Sequence, residues 1–373
     1  MKKTLLKIFQ FKRMYILLLF PLTLLLVAAA RLDGRWVEHF FVRFIYKPLS
    51  YVVGTLSALV PFSVTELLAV LGLAFLIFLI VRRIVKIKRS PKAYKHQLYT
   101  AFINALCTAA VAVFLFELCM GLNYYRYEAK RYLGLDVRDS DVSELYELTR
   151  SLADDINRYR AEMEENEGGV SVLSDKNRFE TSKSARDAYR NLSEKYTFLK
   201  AADIRNKPLL SSKLFSAVMT TGIYIPYTFE SNINVDVPEF TIPVTMCHEL
   251  THFRGFMREN EANFLGYLAC MESERADFRY SASMLAFSYC YPRLHEADKA
   301  GAREIAATVS EGVLRDLNFE DEYWEPYRHA PAAEISNKVY NGYLGANNQP
   351  SGTASYGEMV DLLLAYRRAQ KNQ

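Results

Sequence analysis

Two imidazoles one helical turn apart, with a carboxylate between them, give His248-Glu249-Leu250-Thr251-His252 the clearest capacity for chemistry in this 373-residue sequence. Positions four apart share a helix face, so His248 and His252 can address one metal ion while Glu249 reaches a water on it. On zinc (Zn2+) such a water ionises near pH ~7. Glu249 is then placed to take its proton as the water attacks a carbonyl, and to pass that proton to the leaving amine. An ordinary surface helix can carry the same five residue types, so the flanks decide. Pro243 suits a first turn and Gly255 an exit, which predicts a helix over residues 243–254 with Val244, Leu250 and Thr251 packing inward or sideways.

A catalytic zinc takes a third protein ligand and keeps one position open. Arg258 stands where a metzincin has its third histidine, which argues against that class. The next carboxylates are Glu259 and Glu261. Glu259 has Asn263 four residues on, where gluzincins commonly place an Asp that orients a metal-bound histidine; the neutral amide polarises an imidazole less. Glu261 is the alternate ligand. Glu272, at the thermolysin spacing but with Ala276 in the orienting position, is a third candidate; the acids that do not bind metal are expected as a solvated helix start. Cys247 adjoins His248 but points ~100° away around the helix, which argues against it as a ligand.

The run Thr221-Gly222-Ile223-Tyr224-Ile225-Pro226-Tyr227-Thr228-Phe229-Glu230-Ser231-Asn232-Ile233-Asn234, then Pro243, His248 to His252, Arg254-Gly255-Phe256, Glu259 to Phe264 and Ser355-Tyr356-Gly357, resembles a family of bacterial membrane proteins. It is a domain-of-unknown-function family, with membrane spans at the N-terminus and a gluzincin-like metallopeptidase domain after them. The resemblance covers most of the chain and is strongest from about Gly222 to Leu268. The Glu259-Asn260-Glu261-Ala262-Asn263 run is also similar to the ImmA/IrrE metallopeptidases. These resemblances imply zinc-dependent peptide hydrolysis and name no substrate. They also imply that Ile223, Tyr224 and Ile225 form an edge strand beside the zinc helix, pairing with an extended peptide; a plain hairpin is the competing reading. Tyr340, Tyr343 or Tyr356 is a candidate donor to the oxyanion of the reaction, each also readable as a packing residue.

What must position these residues is a divided chain. Half of it is hydrophobic and 24% charged, ordinary for a soluble protein, yet the apolar residues concentrate in stretches 14–30, 63–81 and 98–122. Each is long enough to cross a ~30 Å hydrocarbon core. The first is expected as a retained anchor, with cleavage after Ala28-Ala29-Ala30 as the alternative. Glu117 falls near the end of the third, at the interface or facing the bundle interior. Residues 48–61 are apolar but bounded by prolines, expected to lie in the interface or re-enter the bilayer. Lys2, Lys3, Lys7, Lys12 and Arg13 precede the first stretch, and seven Lys or Arg lie between Arg82 and Lys95. The positive-inside rule puts both groups in the cytoplasm and everything after about Asn123 outside. The +4 net charge belongs largely to these flanks and makes no case for nucleic acid. Five cysteines give no disulfide framework.

The expected architecture is a membrane region over 1–122 and one zinc metallopeptidase-like domain over 123–373, mainly α with a small β-sheet (α+β). Val142, Leu145, Leu148, Leu152 and Ile156 mark one helix, 183–195 a second, and the chain after Glu259 is expected to stay helical to about Tyr291, stopping at Pro292. The expected function is a multi-pass, membrane-anchored zinc peptidase whose catalytic domain lies outside the cytoplasm. His248, His252 and Glu259 hold the metal, Glu249 is the general base, and the partners are a peptide or protein substrate and the lipid bilayer. A metal-binding sensor or scaffold of the same fold without turnover is the alternative; a third reading inverts the topology and makes it a cytoplasmic protease.

Overall fold

The computed structural model describes residues 12–371; Lys2, Lys3 and Lys7 lie outside the described residues. Among the described residues, three helices are long and apolar enough to cross a membrane: Lys12–Leu32, which contains α1 (Leu19–Leu32), then α3 (Val64–Arg89), and Pro91–Cys119, which contains α4 (Tyr94–Cys119). No residue of α3 is buried, and its outward Leu, Ile, Val and Phe side chains suit a helix solvated by lipid. Ser63 caps it by accepting from the Glu66 N–H. At its far end the apolar run gives way to Lys86, Lys88 and Arg89.

The stretch between the first two spans is a π-helical segment, Val37–Tyr46, continuing into α2 (Lys47–Ala58). Val37, Phe41, Val42 and Tyr46 enter the core shared with the large C-terminal region. Residues 48–61 therefore include a helix laid on the domain: Gly54 lets α2 press against Phe253, while Tyr51, Val52 and Leu56 stay exposed.

After α5 (Ala129–Tyr132), helix α6 (Val142–Arg160) buries Leu145, Leu148, Leu152 and Ile156, as their spacing predicts, and leaves Val142 exposed. A two-residue ribbon, β1 (Glu164–Glu165) with β2 (Ser171–Val172), leads to α7 (Arg178–Lys195), which starts where Asn177 accepts from the Phe179 N–H. The second sheet joins β3 (Lys207–Pro208), β4 (Gly222–Ile225) and β5 (Glu230–Ile233) in the order β3-β5-β4, with α8 (Ser212–Ala217) between the first two in sequence. The buried β5 runs parallel to β3 and antiparallel to β4, so β4 has one open edge.

Helix α9 (Ile242–Phe253) then crosses the core, followed by α10 (Glu259–Met271) and α11 (Ala276–Ala297). The expectation of one helix from Glu259 to Tyr291 is corrected in two ways. The chain breaks after Met271, where the Ser273 hydroxyl accepts from the Arg275 N–H and Asp277 from the Phe278 N–H. It then runs through Pro292, because the carbonyl that loses its donor belongs to Ser288, on the exposed side where water can serve it. Helices α12 (Lys299–Ala306), α13 (Glu311–Arg328), α14 (Pro331–Ala346) and α15 (Met359–Lys371) complete a mainly helical protein with small sheets.

Candidate metal centre

Pro243 sits in the first turn of α9, and the helix ends in a Schellman turn. The Gly255 N–H bonds the His252 carbonyl and the Phe256 N–H the Thr251 carbonyl, with Gly255 in the left-handed region at φ 83°. That turn returns the Phe256 carbonyl to His252, whose Nδ1–H donates to it at 2.9 Å. The neighbouring helix α10 supplies the equivalent partner for the other ring: His248 Nδ1 lies 2.7 Å from Asn263 Oδ1. A carbonyl and an amide oxygen only accept, so each ring keeps a proton on Nδ1, and in its neutral form presents the lone pair of Nε2. The two Nε2 atoms face each other at 3.1 Å.

Glu259 opens α10 and completes the group. One carboxylate oxygen is 3.2 Å from His248 Nε2, the other 3.7 Å from His252 Nε2, and one ligand atom from each of the three residues lies within 4.8 Å of the others. Two close approaches make this possible. A Cβ on Gly266 would meet the His248 backbone nitrogen at 3.0 Å, and a Cβ on Gly222 would meet Glu249 Oε1 at 2.7 Å. The first lets α10 lie against α9, and the second lets β4 lie against the carboxylate.

These lone pairs and carboxylates share a volume with little water. Glu249 and Glu259 are 4% and 2% exposed, and each has one oxygen without a hydrogen-bond partner. Burial pushes the Glu249 carboxyl up to about 8, aided by the charge of Glu259. Burial also opposes ionisation of Glu259, but the two histidines overcome it and hold that carboxylate at about 2. Burial acts against the His248 cation, and the Glu259 and Glu249 carboxylates outweigh it, raising His248 to about 9, whereas His252 is lowered to about 4 by its burial. A divalent cation at the common point would bind the lone pairs and oxygens that now crowd one another.

The other candidates lie elsewhere. Glu261 accepts from the Ala129 N–H at 2.5 Å and faces Arg258, anchoring the chain as it enters α5. Glu272 pairs with Lys195. Cys247 is buried against Cys270. Tyr340 comes from α14 to donate to Glu259 at 2.6 Å, Tyr343 packs on Phe116 and Tyr124, and the Tyr356 side chain lies outside the described residues. Ile223, Tyr224 and Ile225 form the edge strand β4. The Asn234 N–H bonds the Thr221 carbonyl, so alternation along the register turns the N–H and C=O of Gly222 and Tyr224 to the open edge. The Tyr224 N–H reaches Glu249.

Two further tyrosines escaped the sequence reading. Tyr46, between the first two spans, donates to the carbonyls of His252 and Phe253 at 3.1 Å and meets the Tyr224 hydroxyl at 3.3 Å. Tyr289 of α11 lies close to Asn263. No local spacing marks either one.

The site is fastened to the spans. Glu230 of β5 accepts from the N–H groups of Val64 and Thr65 and from the Thr65 hydroxyl, capping α3, and it pairs with Lys207. In return Glu66 accepts from the N–H groups of Leu210 and Ser211. Glu117, in the last turn of α4, turns back on Gly121.

A family model described as "Protein of unknown function (DUF3810)" matches residues 41–364, and the chain belongs to that family. The match takes in most of the segment between the first two apolar helices, including Tyr46, which packs under α9. No curated protein and no solved structure matches the chain.

Proposed function

We propose that this protein is a membrane-anchored, zinc-dependent peptidase. The observation that carries the reading is the convergence of two Nε2 lone pairs and one carboxylate, each imidazole locked from behind, on a point beside a second buried carboxylate. Two histidines and a glutamate are the donor set of a hydrolytic zinc with an open position. When bound, zinc would supply a Lewis acid and make water acidic enough to ionise near neutral pH. The rest falls to the chain's own residues. Glu249 takes the water's proton as the oxygen adds to the acyl carbon, and returns it to the amine nitrogen as the C–N bond breaks. Tyr340 steadies Glu259, and the outward N–H and C=O of Gly222 with the outward C=O of Tyr224 hold the peptide extended.

A structural helix would have no use for Glu249, a buried acid with an unpartnered oxygen against a strand edge. The basic residues between Arg82 and Lys95 lie at the end of α3 and α4 away from the domain, and by the positive-inside rule this supports a domain outside the cytoplasm.

The test is metal analysis of the purified full chain together with Glu249→Gln on a peptide library. The wild type should hold one zinc and cleave; the variant should hold zinc and lose at least ~1,000-fold in rate. Equal cleavage by both, or a wild type that takes up no metal, overturns the reading.

A further inference from the structure

We propose that the cleft is built for the segment of a membrane-anchored polypeptide that emerges from the bilayer, cut within about five residues of its span. This rests on the peptidase reading and adds the substrate class.

The two elements that flank the site, β4 and α14, both stand on one stripe of α4. On one side, β4 runs from Gly222, beside Glu249, into the turn at Tyr227, whose hydroxyl donates to the Ala112 carbonyl at 3.2 Å. On the other, α14 brings Tyr340 to Glu259 and, three residues later, Tyr343, whose ring meets Phe116 and whose hydroxyl donates to Met120 Sδ. Ala112, Phe116 and Met120 are four apart, so they form a single row at the outer end of the span. The open edge of β4 and the tyrosines of α14 thus both lead from the site to the same apolar helix.

The distances set a length. An extended strand rises ~3.3 Å per residue, so Tyr224, opposite His252 and Glu249, is only ~10 Å from Tyr227 along the chain. Helix α4 has 26 residues, ~39 Å at 1.5 Å each, and exceeds a ~30 Å hydrocarbon core by about two turns. Lys95, His96 and Gln97 take up part of that excess at the other end, so the outer boundary falls in the last turns of α4, and the Tyr227 side chain reaches from there to Ala112. Leu210 and Leu214 are 91% and 71% exposed and adjoin the start of α3, where Glu66 holds the Leu210 N–H. Bulky apolar side chains this bare suit lipid rather than water. A peptide paired with the open edge of β4 leaves the site toward the bilayer after three to five extended residues. A chain anchored in the same membrane meets that geometry, and its anchor raises its local concentration at the cleft.

The full chain, loaded with zinc, would be reconstituted in phosphatidylethanolamine–phosphatidylglycerol vesicles with single-span reporters. Each reporter carries a randomised eight-residue segment outside the bilayer, either directly after its span or beyond a thirty-residue Gly/Ser spacer. The same segments are also supplied as free peptides, and product ends are read by mass spectrometry. Hydrolysis should cluster in the first five or six residues after the span, at least tenfold faster than in the spaced or free forms. Comparable cutting of spaced or free segments overturns the proposal and leaves the peptidase reading standing. If nothing is cut in any form, the peptidase reading itself fails, and the substrate class with it.

Discussion

Two buried clusters of charge in this protein are built on opposite terms. Asp316 of α13 is fully buried and accepts from Arg160 Nε, the Ser171 N–H, the Ser171 hydroxyl and the Tyr280 hydroxyl, all at 2.7 to 2.8 Å. Donors and acceptors match, and the cluster ties α6, β2, α11 and α13 together. At His248, His252, Glu249 and Glu259 the protein instead gathers acceptors and leaves two carboxylate oxygens without a hydrogen-bond partner. A cluster that holds the fold is complete by itself. One that gathers groups able to accept at its centre suits the cation proposed above, which would bring positive charge.

The largest effect should come from breaking the complete cluster. Asp316→Ala leaves Arg160 Nε, the Ser171 N–H and the Tyr280 hydroxyl buried without their acceptor, although Arg160 keeps Glu165 and the Gly169 carbonyl, and should lower unfolding stability by ~3–5 kcal/mol, measured by denaturant unfolding of the metal-free chain. A loss below ~1 kcal/mol would erase the contrast. At the incomplete cluster, the cost should appear in metal affinity. Glu259→Gln should weaken zinc binding by more than ~100-fold in a chelator competition, while Glu261→Gln, whose partner is a backbone N–H far from the ring nitrogens, should leave it unchanged. The reverse result would move the third ligand to Glu261. Asn263→Ala should cost ~10–100-fold by freeing the His248 ring.

The smallest effect is graded with pH. With its metal-free pKa raised to about 9, His248 carries a proton at neutral pH that zinc must displace. Affinity should thus rise about tenfold per pH unit from pH ~6 to 8 and level off above about 9. A flat profile would mean that the ring is already neutral.

The metal helix was readable because its signals are local: Pro243, Gly255 and the four-residue histidine spacing all lie within its own turns. Choosing between Glu259 and Glu261 was harder, since two acids two residues apart diverge by ~200° on a helix and point apart only once its start is known. The start is Glu259, with Arg258 extended before it, and that aims Glu259 and Asn263 at the histidines together. Tyr46 and Tyr289 were beyond reach, because each arrives from a segment whose own pattern describes only a span boundary or a core helix. The break at Ser273 was hidden for a similar reason: Asp277 and Arg275 act there through Asp175, a hundred residues away in sequence.

The turn at Gly255 joins two tasks usually thought separable. It ends a helix, and the same reversal carries the Phe256 carbonyl back to the His252 ring. A side chain at 255 would meet both the strain of a left-handed backbone and the Tyr46 ring at 2.9 Å. Reopening the reversal would release the imidazole from the rail that aims it. Punctuation of the backbone and alignment of a ligand therefore have a single point of failure, in a residue with no side chain of its own.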